Sequence, residues 1–376
     1  MAKKALLTIG GTYHKVKKGF ITVDSTYRKI KKAFVTIGGV YRPCWGGGEL
    51  AYYGAITSLS SIRSRLAATS VGEYALFGGG YAFSHASLRV DAYNKSLTRS
   101  SPSSGLTYNV CELAATSVGN YAIFAGGATG TSSDSECIYY TSAYNTSLTY
   151  YEPSTLTAQR KKLAATSVGE YALFGGGLNI SGRYYTVDIY NSSLSRLSAK
   201  DLSEARWNLA ATTIGNHALF GGGTTGAKDA TVDAFDTSLT QTTPTKLSVA
   251  REGLTATTVG NYALFVGGRT DHNVSKVVDA YDTSLTRTTP TTLSVARDGL
   301  AATTVGGFAV FAGGKLYFDT PQNTVDVYDA SLTLTTLTLS TARYFLAGAT
   351  VGNYALFGGG EKSTDTYYSA VEAFTA

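Results

Sequence analysis

An all-β fold of seven similar units, a seven-bladed β-propeller, is predicted by three features of the sequence. The first is composition: 42 glycines and 27 tyrosines stand against 6 prolines, 2 tryptophans and 1 methionine in 376 residues, a balance that favours strands and turns over helices. The second is a hydrophobic phrase beginning at Leu66, Leu113, Leu163, Leu209, Leu254, Leu300 and Leu346, at intervals of 45 to 50 residues. A period in that range marks a propeller or a solenoid. The third is that each period holds four short β-prone runs without helical periodicity, which describes the antiparallel meander of a propeller blade.

Within a unit the runs follow one another predictably. The Leu phrase, as in Leu300-Ala-Ala-Thr-Thr-Val-Gly306, is the first strand, and a run such as Asn353-Tyr-Ala-Leu-Phe-Gly-Gly-Gly360 is the second. They meet at Gly-Asn, Gly-Glu or Gly-Gly, residues that tolerate the positive φ of a tight hairpin. A third run follows a variable gap: Val90-Asp-Ala-Tyr93, Thr141-Ser-Ala-Tyr144, Val187-Asp-Ile-Tyr190, Val232-Asp-Ala-Phe235, Val278-Asp-Ala-Tyr281, Val325-Asp-Val-Tyr328 and Val371-Glu-Ala-Phe374. It ends in Asn or Asp, one residue and Ser-Leu, a pattern in which the Asx side chain turns the chain by bonding the backbone two residues on. A fourth, more polar run such as Thr286 to Val295 closes the unit and ends in an arginine: Arg63, Arg160, Arg206, Arg251, Arg297 or Arg343.

The seventh unit reaches only its third strand before Ala376, while Ala51 to Ser61 lies at the right offset before Arg63 to be a fourth strand. The sequence therefore predicts that this N-terminal strand closes the last blade and removes an open sheet edge. The Gly-Gly pair, the third-strand Tyr or Phe and the arginine resemble the kelch repeat over residues 50–376. The kelch tryptophan is absent, and Leu97, Leu148, Leu194, Leu239, Leu285 and Leu332 stand near its place. The resemblance implies a kelch-like propeller.

Residues 1–45 form a different module, joined through a glycine linker at 46–49. They carry ten Lys or Arg against Asp24 alone, whereas the rest of the chain is slightly acidic. A 14-residue repeat, Leu6-Leu-Thr-Ile-Gly-Gly-Thr-Tyr13, Phe20-Ile-Thr-Val-Asp-Ser-Thr-Tyr27 and Phe34-Val-Thr-Ile-Gly-Gly-Val-Tyr41, reads as three small hairpins. Hairpins of this size bury little surface and gain order from a partner. Followed by Pro43-Cys-Trp45 and Gly46-Gly-Gly48, they resemble N-terminal segments of bacteriophage virion proteins. That resemblance implies docking to other virion proteins through Lys15, Lys17, Lys18, Arg28, Lys29, Lys31, Lys32 and Arg42. Solvation of exposed strands is the second reading, and binding of nucleic acid by this charge is the weaker third.

The charged fraction of 15% and the lack of an apolar run near 18 residues exclude bulk disorder and a transmembrane helix. Ala5 to Ile9 is too short for the core of a signal peptide; the likeness to virion segments implies location in the virion, after synthesis in the bacterial cytoplasm. Cys44, Cys111 and Cys137 have neither disulfide nor zinc spacing. The histidines, His14, His85, His217 and His272, show no metal motif, so neither cofactor nor enzyme activity is expected. Asp91, Asp188, Asp233, Asp279 and Asp326 recur with the arginines and read as ties between strands, since a catalytic group is needed once.

The loops after the Gly-Gly pair vary from 8 to 13 residues, which is how a rigid frame carries a recognition surface. Tyr184, Tyr185, Tyr317 and Phe318, with His85 and His272 as polar partners, are the expected ligand contacts. The functional expectation is a virion-attached adhesin, present in multiple copies, that binds a host-surface glycan or protein. A decoration protein without a receptor is the alternative, and a glycan-processing enzyme comes third.

Overall fold

The computed structural model describes residues 49–198, 200–363 and 365–376, together with the backbone of six strands in residues 1–48. The chain separates into two compact units, Met1–Leu50 with Ala376 and Ala51–Thr375. In the first, Ala5–Ile9 pairs with Thr12–Val16, Phe20–Val23 with Thr26–Lys29, and Ala33–Ile37 with Val40–Trp45, all antiparallel. These are the three expected hairpins. Lys15, Arg28, Lys29 and Arg42 stand on their strands, while Lys17, Lys18, Lys31 and Lys32 lie outside the described residues.

The second unit is a seven-bladed propeller of four-stranded antiparallel blades, and no helix occurs among the described residues. The first strands are Ala67–Val71, Ala114–Val118, Ala164–Val168, Ala210–Ile214, Thr255–Val259, Ala301–Val305 and Ala347–Val351. Each packs on the first strands of its two neighbours, and the last packs on the first, so the ring closes. Blade seven is completed by Ala51–Ile56, which pairs with Val371–Thr375 as expected.

Local chemistry explains the strands. Second strands such as Tyr74–Gly78 are buried on both faces because they lie inside a blade and between blades, hence the unbroken apolar run. Within each blade the packing is repetitive: a second-strand Phe meets a third-strand Tyr or Phe edge to face, from Phe77–Tyr93 at 5.8 Å to Phe357–Phe374 at 5.9 Å. The Asx turns form as read; Asp282 Oδ1, for example, accepts from the backbone N–H of Ser284 and Thr286 at 2.9 Å each. The leucines near the kelch tryptophan position have φ close to +60°, a left-handed conformation that leucine adopts only when its side chain is held by packing, and five of the six sit two residues before an outer strand.

The fourth strands are shorter than expected. The run from Thr286 to Val295 contains only Arg287–Thr288 as strand, and Arg99–Ser100, Tyr150–Tyr151 and Gln241–Thr242 are equally brief. Pro102, Pro153, Pro244 and Pro290 follow two residues later in these four blades, and proline has no N–H to continue the ladder. Blade six has no such proline and extends its fourth strand over Leu334–Thr338.

The repeated charges are structural ties, as read. Arg63–Asp91, Arg160–Asp188, Arg251–Asp279 and Arg297–Asp326 are fully buried ion pairs of 2.7 to 2.8 Å, and Arg206–Asp233 and Arg343–Glu372 complete six of the seven blades. Each arginine also donates to the carbonyl of the Phe fourteen residues on, as Arg251 Nη2 does to Phe265 at 3.0 Å. Desolvation pulls Arg251 and Arg297 below their ordinary pKa, and the paired carboxylates oppose that shift.

Candidate functional site

The second-strand Gly-Gly pair determines what stands at the axis. At Gly80, φ is +116° and a Cβ would lie 2.9 Å from the Ser64 carbonyl; at Gly79 it would lie 2.7 Å from the Val110 carbonyl. The glycine pair thus threads between the segment that enters its own blade and the segment that enters the next. Gly80 N–H bonds Val110 O at 2.8 Å, and the same bond runs around the ring to Gly360 N–H and Arg63 O at 2.9 Å. Isolated bridges such as Glu252 with Arg269, Asp298 with Lys315 and Tyr344 with Glu361 pair each entering segment with the residue after the glycines. The variable loops and the blade connections therefore share one face, as the meander requires.

Each entering segment has four residues from the frame arginine to the frame leucine. The outer two scarcely change, whereas the inner two read Ser64-Arg65, Cys111-Glu112, Lys161-Lys162, Trp207-Asn208, Glu252-Gly253, Asp298-Gly299 and Tyr344-Phe345. The residue just before each leucine is left-handed, with φ between 53° and 64° in all seven blades. Five of the seven are not glycine, so the ring holds Arg, Glu, Lys, Asn and Phe in a conformation that costs about 1 kcal/mol or more each. A belt of backbone bonds fixes it: Arg65 N–H donates to Phe345 O at 2.8 Å, Glu112 to Arg65 at 3.0 Å, Lys162 to Glu112 at 3.0 Å, Asn208 to Lys162 at 2.9 Å, Gly253 to Asn208 at 2.9 Å and Phe345 to Gly299 at 2.8 Å.

These residues surround the mouth of the central channel, a cavity of about 370 Å³ lined by side chains or backbone from all seven blades. That volume is at the small end of ligand pockets, about 300 to 1,000 Å³. Charges of both signs meet there. Glu112 is held by Arg65 at 3.3 Å and Lys162 at 3.7 Å, and Arg65 also reaches Glu361 at 3.2 Å. Arg269 Nε bonds Asp298 Oδ2 at 3.1 Å, and Glu252 pairs with Lys228. Phe345 lies between two cations, with Arg65 Cζ 4.2 Å and Lys315 Nζ 4.9 Å from its ring centre. Asp298 is only 8% exposed, and desolvation raises its pKa against the lowering effect of Arg269 and Lys315. Cys111, at the equivalent place in blade two, is fully buried and its thiol is pushed up to about 12 by desolvation.

Below the mouth the channel wall is tied by hydroxyls. Thr166 and Thr213 meet at 2.7 Å, Thr257 and Thr304 at 2.8 Å, and Thr303 and Thr350 at 2.7 Å, each pair joining adjacent blades. This explains the threonines in the Leu phrase.

The six residues singled out from sequence do not line the mouth. Tyr317 and Phe318 come nearest: they stand on the loop that begins at Lys315, Tyr317 faces Arg269 at 6.0 Å, and Phe318 is 86% exposed. Tyr185 is 52% exposed, whereas Tyr184 is half-buried and its hydroxyl accepts from Asn179 Nδ2 at 2.7 Å within its own loop. His85 and His272 are exposed on the loops of blades one and five, and His85 Nδ1 contacts the Phe83 carbonyl at 2.8 Å. The structure does not gather these residues into one site. The mouth residues were missed, although the changing pair inside a constant Arg-x-x-Leu frame was visible in the repeats.

Fold and mouth together define a seven-bladed propeller with an axial pocket of non-repeated residues. No family model matches the chain, and no curated protein is significantly similar in sequence. Among solved structures 761 chains match, so the likeness marks a widespread architecture and does not single out a function. One of them, titled "Structure of YjhT", has a TM-score of 0.55 and 11% identity, covering 85% of this chain and 97% of that one. At that identity the likeness establishes the propeller fold alone. Among the described residues no group of three or more His, Cys, Asp or Glu is placed to hold a metal ion.

Proposed function

We propose that this chain is a bacteriophage virion component, an adhesin whose propeller binds a host-surface glycan or protein and whose residues 1–45 dock it to the particle. The observation that carries the recognition half is the mouth: positions that vary from blade to blade, in strained backbone, converge on one cavity within an otherwise repetitive frame. The attachment half is supported by the ten basic residues of the hairpin module and its likeness to virion segments. A kelch-like character of the blades is supported by the diglycine threading, the third-strand aromatic and the buried arginine. On this reading the protein binds and performs no chemistry.

The test uses the purified full-length chain on arrays of bacterial surface polysaccharides and on intact host cells. Saturable binding supports the adhesin. If the chain sits in particles yet binds neither glycan nor cell-surface protein, it is a decoration protein. Release of soluble sugar from wall polysaccharide would make it an enzyme. Replacing Lys17, Lys18, Lys31 and Lys32 with glutamate should prevent incorporation into particles while the propeller still folds; normal incorporation would rule out an electrostatic anchor.

A further inference from the structure

We infer that the mouth holds a subsite for a single pyranose residue, seated over Gly253 beside the Phe345 ring and read through a pair of neighbouring hydroxyls by Asp298 and Arg269. This deepens the glycan reading above and rests on it. The ring of left-handed residues is filled by side chains in five blades; at Gly299 the Phe345 ring covers the space, its Cε1 lying 3.0 Å from where a Cβ would stand, whereas Gly253 is left open. A Cβ on Gly253 would meet nothing nearer than Asn208 Nδ2 at 3.6 Å, so the space above it is open. The belt of backbone bonds is also interrupted here: among the described residues no such bond joins Gly299 N–H to Gly253 O. The result is a notch on one side of an otherwise closed ring.

The polar groups beside the notch specify the ligand. Asp298 is more than nine-tenths buried, lines the cavity, and its Oδ1 has no hydrogen-bond partner. A buried acceptor without a donor is unfavourable, so the site calls for a ligand that brings one. Arg269 spends its Nε on Asp298 Oδ2, and its two terminal nitrogens, on a side chain 34% exposed, bond no group among the described residues, so beside the acceptor stands a donor open to a ligand oxygen. Neighbouring hydroxyls of a sugar ring satisfy both at once, one donating to Asp298 Oδ1 and the other accepting from Arg269. A strongly charged ligand is disfavoured, because the lining cations Arg65, Lys162, Arg269 and Lys315 are nearly balanced by Glu112, Glu252 and Asp298. The small cavity restricts the occupant to about one ring entering end on.

The experiment titrates the full-length chain with methyl pyranosides of glucose, galactose, mannose and N-acetylglucosamine, and with the deoxy analogues of whichever binds, by ligand-observed NMR. Binding of at least one pyranoside is expected, with a loss of about tenfold or more when either hydroxyl of the pair is removed and in Asp298→Asn and Arg269→Gln. Gly253→Asn fills the notch with the residue that Asn208 already places in the same left-handed backbone, so it should abolish binding with an unchanged melting temperature. Pyranoside binding that ignores all three variants, or deoxy analogues that bind equally well, would overturn the subsite and leave the adhesin standing. Array-positive protein that binds no pyranoside overturns it too. No pyranoside binding and a silent array would overturn both.

Discussion

Blade two and the other six solve the same packing problem with different chemistry. In six blades a buried arginine meets a buried carboxylate, and a residue on the outer strand often bonds the same carboxylate: Arg196 to Asp188 at 3.4 Å, Arg287 to Asp279 at 3.5 Å, Tyr52 to Glu372 at 2.8 Å. In blade two the arginine is Val110, the carboxylate is Ser142 and the outer residue is Tyr150. Ser142 Oγ still accepts the Thr107 N–H at 3.0 Å, as Asp279 accepts that of Ser248, and Thr107 Oγ1 meets the Tyr150 hydroxyl at 2.9 Å. The acceptor is kept and the charge is gone. The difference teaches that the parts are exchangeable as a set and not singly, because half a buried ion pair is far worse than none.

The largest test removes an outer member together with its strand. Deleting residues 1–62 takes Ala51–Ile56 and Tyr52 from blade seven, leaves Glu372 short of a partner and opens a sheet edge. Aggregation or a melting point lower by ten degrees or more, roughly, is expected, whereas deletion of residues 1–48 should leave the propeller's transition in place. Equal transitions for the two truncations would contradict the closure.

The next test breaks one pair. Arg251→Met strands Asp279 and is expected to cost about 3 to 5 kcal/mol in denaturant unfolding. Arg251→Val with Asp279→Ser copies blade two and should recover at least about half of that loss. If the double variant is as unstable as the sum of its parts, the exchangeable-set account is wrong.

A third test contrasts frame with mouth. The carboxyl of Asp298 is raised above the ordinary aspartate value of 3.8 by desolvation, so the folded protein holds its proton to higher pH than the unfolded chain. Its contribution to stability is present at low pH and is lost as pH rises through the folded value. Asp298→Asn should therefore melt at or above the wild type at pH 7, and its advantage should shrink as the pH is lowered toward 4. A variant less stable than wild type across that range would assign Asp298 to the frame.

The smallest effect is a repair. In blade six the outer residue is Leu334, and Asp326 Oδ1 is left without a partner, whereas in blade four Gln241 supplies one to Asp233 at 2.5 Å. Leu334→Gln should stabilise the protein by about 0.5 to 1.5 kcal/mol, read as a shift of the unfolding midpoint with an unchanged slope.

Much of the frame was legible because repetition makes it so. The period, the Asx turns, the closing strand and the structural use of Arg and Asp all follow from residues that recur at fixed offsets. In four blades Pro102, Pro153, Pro244 and Pro290 cut the fourth strand short, whereas in blade three Lys200–Asp201 is equally short with no proline near it. The site was largely hidden for a geometric reason. Residues such as Gly253 and Gly299 lie 46 positions apart and become neighbours only around the axis, while the tyrosine-bearing loop of Tyr184 and Tyr185 stands out in the sequence yet contributes neither tyrosine to the mouth lining. Variation inside a constant frame marks the mouth in the sequence, and it is two residues wide.

The most direct test is the structure of the full-length chain with the best-binding glycan from the surface-polysaccharide array. The account predicts density for a sugar ring in the channel mouth, over Gly253 beside the Phe345 ring and within hydrogen-bond reach of Asp298 and Arg269. Density on the outer loops, at Tyr185 or His272, with the mouth vacant, would contradict it.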